Sequence, residues 1–199
     1  VLRYSPPHLS AYCLTVPEGH PMSGGRPLED VQVTMFEQIE ERLASIGVLK
    51  YEISNFAKVG YESRHNLTYW QDRPYWGLGL SSHSYFPEIG NGVRFWNPKV
   101  IADYRDQILA AQPQQLFPTR GLPAAQQEHL KLHEAMTDFC HMHLRILKGL
   151  SLSALRNKFG VHAADLLTPR LNRLTADGLI EQYSDFVRLT ARGQMLSNL

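Results

Sequence analysis

Three dense blocks of sequence follow one another closely in the first half of the chain: YEISNFA at residues 51–57, HNLTYW at 65–70 and GLGLSSHS at 77–84. The first block is rich in aromatic and β-branched residues and predicts a short strand, Tyr51–Ala57. Another strand is predicted at Tyr75–Tyr85, where glycines and serines indicate a break into a turn. The central block therefore lies between two predicted strands.

Outside these blocks, strands and helices alternate. The segment His8–Val16 is rich in β-forming residues, lies between prolines and predicts a buried strand. Apolar residues recur every three or four positions over 29–46 and predict a helix that ends at Gly47. A further helix is predicted at 98–110, with proline in its first turn. This alternation is typical of a βα barrel or a doubly wound sheet, and the small number of strands predicts a partial (β/α) barrel over residues 1–111.

The second half of the chain has a different composition. Glutamine and proline are frequent at 112–122, which predicts a linker. Helices followed by a hairpin are the layout of a winged helix-turn-helix domain, so residues 123–199 predict a helical, winged-helix-like accessory domain. The fold class is therefore α/β plus α. The predicted elements of this second part are helices at Gln126–Lys148, Ser153–Phe159 and Ala163–Ala176, and a hairpin of Ile180–Tyr183 with Phe186–Leu189.

Composition narrows the class of protein. The chain has 199 residues, of which 43% are hydrophobic and 20% charged, with a formal net charge of +1. These values are typical of a globular domain and predict no nucleic-acid partner. The apolar runs are shorter than the roughly 20 residues of a membrane span, although peripheral membrane association stays open. Only Cys13 and Cys140 are present, far apart, so no disulfide framework and a cytoplasmic location are expected.

The three blocks, together with HLSAYCLT at 8–15 and RFWN at 94–97, resemble the radical-SAM coproporphyrinogen III oxidase-like family over nearly the whole chain. Members of this family carry a CxxxCxxC motif for a [4Fe–4S] cluster, and the cluster binds S-adenosylmethionine. Neither Cys13 nor Cys140 fits that motif. The resemblance therefore implies the C-terminal part of such a protein, without the cluster ligands and inactive by itself.

The motif HNxxYW, formed by His65, Asn66, Tyr69 and Trp70, is associated by this resemblance with the family's heme-chaperone branch. Neutral imidazole is a good axial ligand for heme iron, and aromatic rings can flank the macrocycle. The resemblance thus implies heme as the ligand, His65 as the ligand of its iron and heme-accepting proteins as partners. From the residues alone, the alternative is that His65 holds a turn and the aromatic residues belong to the core.

The glycine-rich block is the second candidate site. The resemblance assigns Gly77, Gly79, Ser81, Ser82 and His83 to the S-adenosylmethionine pocket, because glycines let a backbone approach a ligand and serines add donors. The alternative is a tight turn between strand and loop. The two serines before His83 depart from the glycine-alanine that is common in the family.

A possible metal stripe lies on the predicted helix Gln126–Lys148. On an ideal helix His129, His133, Cys140 and His143 fall near one line. However, His129 and His143 would be about 21 Å apart, and His133 and Cys140 about 10 Å apart, at about 1.5 Å per residue. One zinc ion cannot bridge such distances, so at most two separate two-residue half-sites with outside ligands could form, and the stripe favours core packing.

Three functions are weighed. The first is heme binding and delivery, which the HNxxYW motif favours. The second is oxygen-independent coproporphyrinogen III oxidase, which acts in porphyrin biosynthesis by radical oxidative decarboxylation. The third is a winged-helix DNA-binding regulator, which charge disfavours, because six basic residues against four acidic ones leave residues 151–199 only +2.

Overall fold

The computed structural model describes residues 2–12, 14, 16–17, 19–25, 27–110 and 126–197. The chain has a mixed α/β fold and divides into two compact units. The first unit combines the residues up to Arg64 with those from Leu144 onward, and the second is His65–His143. The predicted linker at 112–122 lies outside the described residues, and the boundary it implies between two domains stays a prediction.

The first unit contains a three-stranded antiparallel sheet. Its strands are β1 (His8–Ser10), β2 (Leu49–Glu52) and β3 (Asn55–Ala57), in the order β1-β3-β2. Helix α1 (Glu29–Ala44) packs against this sheet and is followed by Gly47 at φ +74°, as predicted. The buried core here consists of Leu43, Val48 and Phe56, with Leu9, Ala11 and Phe36 packed around it.

Two predictions for this region are wrong. The block at 51–57 is not one strand but a hairpin, because the Glu52 carboxylate accepts hydrogen bonds from the Ser54 backbone N–H and the Asn55 amide, which closes a turn. Among the described residues of the strand predicted at His8–Val16, only those of β1 form a strand, which lies at the edge of the sheet and pairs with β3. Tyr12 and Leu14 beyond it are exposed.

The rest of the first unit is a second three-stranded antiparallel sheet with short helices. The hairpin predicted at 180–189 forms from β8 (Ile180–Tyr183) and β9 (Phe186–Leu189). Its second strand also pairs with β7 (Leu150–Ser151), which gives the order β7-β9-β8. The predicted helix Ala163–Ala176 is two helices, because Pro169 lacks a backbone N–H and belongs in a first turn rather than a helix interior. The elements are β7 (Leu150–Ser151), α5 (Leu152–Phe159), α6 (Val161–Asp165), α7 (Thr168–Ala176), β8 (Ile180–Tyr183), β9 (Phe186–Leu189) and α8 (Ala191–Leu196).

The second unit is built around a third antiparallel sheet, of order β4-β5-β6. The strand predicted at Tyr75–Tyr85 is largely loop, since only Tyr75 bridges back to Tyr85. The predicted helix Gln126–Lys148 begins only at Leu132, because residues 127–129 pair with the neighbouring strand instead. The elements are α2 (Arg64–Trp70), β4 (His83–Phe86), β5 (Val93–Trp96), α3 (Ile101–Ala110), β6 (Gln127–His129) and α4 (Leu132–Arg145), the last of which runs on into the first unit.

Every strand pairing among the described residues is antiparallel. Within the same residues, none of the helices combines the length and apolar character needed to cross a membrane.

Candidate functional site

The HNxxYW motif forms the short helix α2, and His65 lies in its first turn with an exposed side chain. Tyr69 follows four residues later, so both side chains lie on one face of the helix. Their ring centroids are 4.8 Å apart and the rings are nearly perpendicular, at 87°. The helix therefore presents an imidazole to solvent with an aromatic ring beside it.

Aromatic contacts continue from this pair into the unit. Tyr69 contacts Tyr75 edge-on, with centroids 4.5 Å apart, and Tyr75 lies 6.1 Å from Tyr85. We call these four residues, His65, Tyr69, Tyr75 and Tyr85, the aromatic row. Trp70 lies beside it, 6.4 Å from Tyr69. Tyr75 and Tyr85 were not predicted to lie beside the motif, although both flank the glycine-rich block.

The inner end of the aromatic row is polar. The Tyr85 hydroxyl donates a hydrogen bond of 2.9 Å to an Asp72 carboxylate oxygen. Burial, with the Asp72 carboxylate as the second cause, raises the pKa of Tyr85 far above its ordinary value. Burial also raises the pKa of Tyr75. Both phenols therefore stay protonated at neutral pH, and Tyr85 acts as a hydrogen-bond donor.

The glycine-rich loop is held together by its own hydrogen bonds. Asn97 donates through its side-chain amide to the carbonyl oxygens of Gly77 and Gly79, at 3.2 and 2.9 Å, and to the Ser82 hydroxyl at 2.9 Å. The Gly79 N–H donates to the Tyr104 hydroxyl at 3.2 Å. These hydrogen bonds connect the loop to Asn97 and Tyr104, and Asn97 was recognised in sequence only as part of the family resemblance.

Both glycines meet backbone requirements. A Cβ on Gly77 would lie 2.2 Å from the His83 carbonyl oxygen, and Gly79 has φ +94°. The tight turn considered from the sequence is therefore present, and it leaves Ser81 and His83 exposed. Ser84 in β4 accepts a hydrogen bond from the Gly77 N–H, and its neighbour Tyr85 belongs to the aromatic row. Strand β4 thus contacts both candidate sites.

The histidine and cysteine stripe does not exist as a helix face. His129 lies in strand β6 rather than on α4, so the predicted single line is wrong. Burial raises the pKa of the Cys140 thiol to about 11, which keeps it protonated at neutral pH. The part of the chain that the structure describes contains no group of three or more His, Cys, Asp or Glu side chains placed to hold a metal ion.

Residues 130–196 match the HemN C-terminal domain family. Among curated proteins, the heme chaperone HemW of Bacillus subtilis is 32% identical over 96% of this chain and 49% of its own length. The heme chaperone HemW of Mycobacterium tuberculosis is also 32% identical, over 96% of this chain and 45% of its own length. The Escherichia coli heme chaperone HemW is 27% identical, over 99% and 49%. The chain thus spans about half the length of these relatives.

One solved structure has a similar fold. It is the coproporphyrinogen III oxidase HemN from Escherichia coli, described as a radical SAM enzyme. The TM-score is 0.57 at 17% identity, and the match covers 86% of this chain and 40% of that one. The likeness confirms the mixed α/β fold class.

Proposed function

Because the chain belongs to the radical-SAM coproporphyrinogen III oxidase-like family, we propose that it is the C-terminal part of a protein that binds heme and delivers it to other proteins. The heme chaperones are 27–32% identical across nearly the whole chain, whereas the oxidase structure is 17% identical. Sequence similarity therefore favours delivery over oxidative decarboxylation, which is the second candidate.

At finer detail, residues 1–111 would contribute strands and helices of a partial (β/α) barrel, and residues 123–199 would form a winged-helix-like accessory domain. The order α5, α6, α7 and then the β8–β9 hairpin supports the second statement. Two of its arginines face acids: Arg173 pairs with Asp177, and Arg188 pairs with Glu181. These ion pairs favour a partner-docking or structural role over DNA binding.

The proposed iron ligand is His65. The observation that carries this assignment is an exposed imidazole with Tyr69 standing perpendicular to it. His65 would supply the nitrogen ligand for the heme iron, and Tyr69 beside it would supply an aromatic face for the macrocycle. Tyr69, with Asn66 and Trp70 on the same short helix, completes the proposed heme-binding surface.

The glycine-rich loop is the proposed wall of an S-adenosylmethionine pocket. Gly77, Gly79 and Ser82 shape it, while the exposed Ser81 hydroxyl and His83 imidazole are groups that can meet a ligand. A [4Fe–4S] cluster requires at least three nearby thiolates, whereas this chain has two cysteines, Cys13 and Cys140, far apart in sequence. The residues present therefore do not fit a cluster.

Hemin titration of the intact protein tests the role of His65. In His65→Ala the iron loses its nitrogen donor, while stacking on Tyr69 and Trp70 remains. We expect most of the Soret shift to disappear and the affinity for hemin to fall about tenfold, which corresponds to about 1.4 kcal/mol. Absorption spectra and the dissociation constant report these two effects separately.

Two exposed histidines serve as controls. His83→Ala changes the loop and His133→Ala changes α4, and both variants should keep the wild-type Soret band. An unchanged band in His65→Ala would refute the ligand assignment. Conversion of coproporphyrinogen III by the anaerobically reconstituted intact protein would instead support the oxidase.

A further inference from the structure

Helix α2 ends in a defined cap just after the HNxxYW motif. The Arg73 N–H donates to the Thr68 carbonyl at 3.0 Å, and the Asp72 N–H donates to the Tyr69 carbonyl at 3.1 Å. This pair of bonds is the Schellman motif, in which the residue after the helix takes a left-handed conformation. Asp72 occupies that position with φ +53°. Glycine is usual there, so a side chain at this position calls for an explanation.

The Asp72 side chain supplies that explanation, because its carboxylate accepts the 2.9 Å hydrogen bond from the Tyr85 hydroxyl. Tyr85 is a rigid donor: its side chain is buried and it belongs to β4. Its backbone exchanges two hydrogen bonds of 2.9 Å with Tyr75, and it pairs with Arg94 of β5. The cap of α2 is therefore attached to the sheet through a side chain.

The donor of this hydrogen bond is a protonated phenol. The raised pKa of Tyr85 preserves the phenol as a donor. The Arg94 guanidinium lies 6.0 Å from the Tyr85 ring and is itself paired with Glu128 and Asp138. The Arg94 cation is therefore set against the carboxylates of Asp72, Glu128 and Asp138.

We propose that Asp72 and Tyr85 are positioning residues for heme: by anchoring the cap of α2 to β4, they set the orientation of His65 and Tyr69 toward the iron and the macrocycle. This inference rests on the proposed heme-binding function. A helix of seven residues has little stability of its own. Its orientation therefore depends on contacts such as this cap, which is three residues from Tyr69.

Four variants separate the backbone role of Asp72 from its side-chain role. Asp72→Asn tolerates the left-handed conformation and still accepts from Tyr85, so it should match the wild type in affinity and Soret position. Asp72→Gly suits the backbone but removes the acceptor, and Tyr85→Phe removes the donor. Both should bind hemin about 10-fold more weakly, as outer-shell changes at metal ligands do, and with a shifted Soret band. Asp72→Ala loses both features and should be the weakest.

Amide hydrogen exchange without hemin independently reports how firmly the cap of α2 is held. The amides of residues 71–73 should exchange faster in Asp72→Gly and Tyr85→Phe than in Asp72→Asn. Rescue by asparagine, together with a spectral change, distinguishes positioning from a general loss of stability.

The outcomes separate the two proposals. If the wild type has a His65-dependent Soret band that Asp72→Gly and Tyr85→Phe leave unchanged, the positioning role is wrong and heme binding stands. If the wild type has no His65-dependent band, the heme proposal is wrong and the positioning role falls with it.

Discussion

At the scale of single residues, Glu52 shows how one buried acid organises the first block of sequence. Its side chain is 0% exposed, and one oxygen accepts hydrogen bonds from the Ser54 N–H and the Asn55 amide. The other oxygen lies 3.6 Å from the Arg145 guanidinium. Because a buried carboxylate is costly without a counter-ion, Arg145 stabilises the turn from a distant part of the chain.

Loss of Arg145 should therefore destabilise the protein. We expect Arg145→Met to lower the free energy of unfolding by about 3 kcal/mol, since it leaves a buried carboxylate unpaired. Glu52→Gln keeps an acceptor for Ser54 and Asn55 but carries no charge. Combined with Arg145→Met in a double variant, Glu52→Gln should restore much of the lost free energy of unfolding. Urea unfolding of the four proteins measures the coupling, and equal losses in single and double variants would contradict it.

At the scale of elements, helix α5 depends on a cap shared between two parts of the first unit. The Ser151 hydroxyl accepts from the Ala154 N–H at 3.0 Å and donates to Asp185 at 2.7 Å. Asp185 also receives hydrogen bonds from the Ser153 hydroxyl and N–H, at 2.6 and 3.0 Å. The turn of the β8–β9 hairpin thus holds the start of α5.

These bonds predict a pH dependence. Hydrogen bonds from Ser153, then from Ser151, lower the pKa of Asp185 below its ordinary value of 3.8. Its contribution to stability is therefore present above pH 3.8 and lost as the pH falls through the lowered value. The difference in Tm between wild type and Asp185→Ala should shrink in acid. The exposed acid Asp165 supplies the control variant, Asp165→Ala.

The cap itself can be tested at neutral pH. Ser151→Ala should lower the free energy of unfolding by about 1 kcal/mol, because it removes a serine N-cap. No measurable change would mean that Asp185 alone caps α5.

At the scale of the whole molecule, the compact units do not follow chain order. Residues near both ends form one unit, where the Ile53 N–H donates to the Arg145 carbonyl at 3.1 Å and the Leu147 N–H to the Tyr51 carbonyl at 3.2 Å. The backbone hydrogen bonds of the block at 51–57 are therefore satisfied by the segment that begins at Leu144. The two segments should be expressed together.

The whole chain should not assemble an iron–sulfur cluster. It has two cysteines, far apart in sequence, whereas a cluster of this kind needs at least three nearby thiolates. We expect no stoichiometric iron and sulfide after anaerobic reconstitution of the 199-residue chain. A cluster bound in a 1:1 ratio would contradict this prediction and the assignment of the cluster ligands to another part of the protein.

The sequence by itself determined the family and the elements with strong local signals. Helix α1 with Gly47, helix α5 with Gly160 and the β8–β9 hairpin were predictable because their apolar spacing and end residues act within one segment. The HNxxYW motif could likewise be recognised from adjacent residues.

Only the tertiary structure decided where distant segments meet. Residues 127–129 form a strand rather than a helix because β5 offers them backbone partners. The block at 51–57 bends into a hairpin around an acid whose partner, Arg145, comes from the end of α4. The hydrogen bond from Tyr85 to Asp72 connects strand β4 to the cap of helix α2, which carries the HNxxYW motif. Each of these contacts depends on burial and on long-range hydrogen bonding, and local residue preferences carry no information about either.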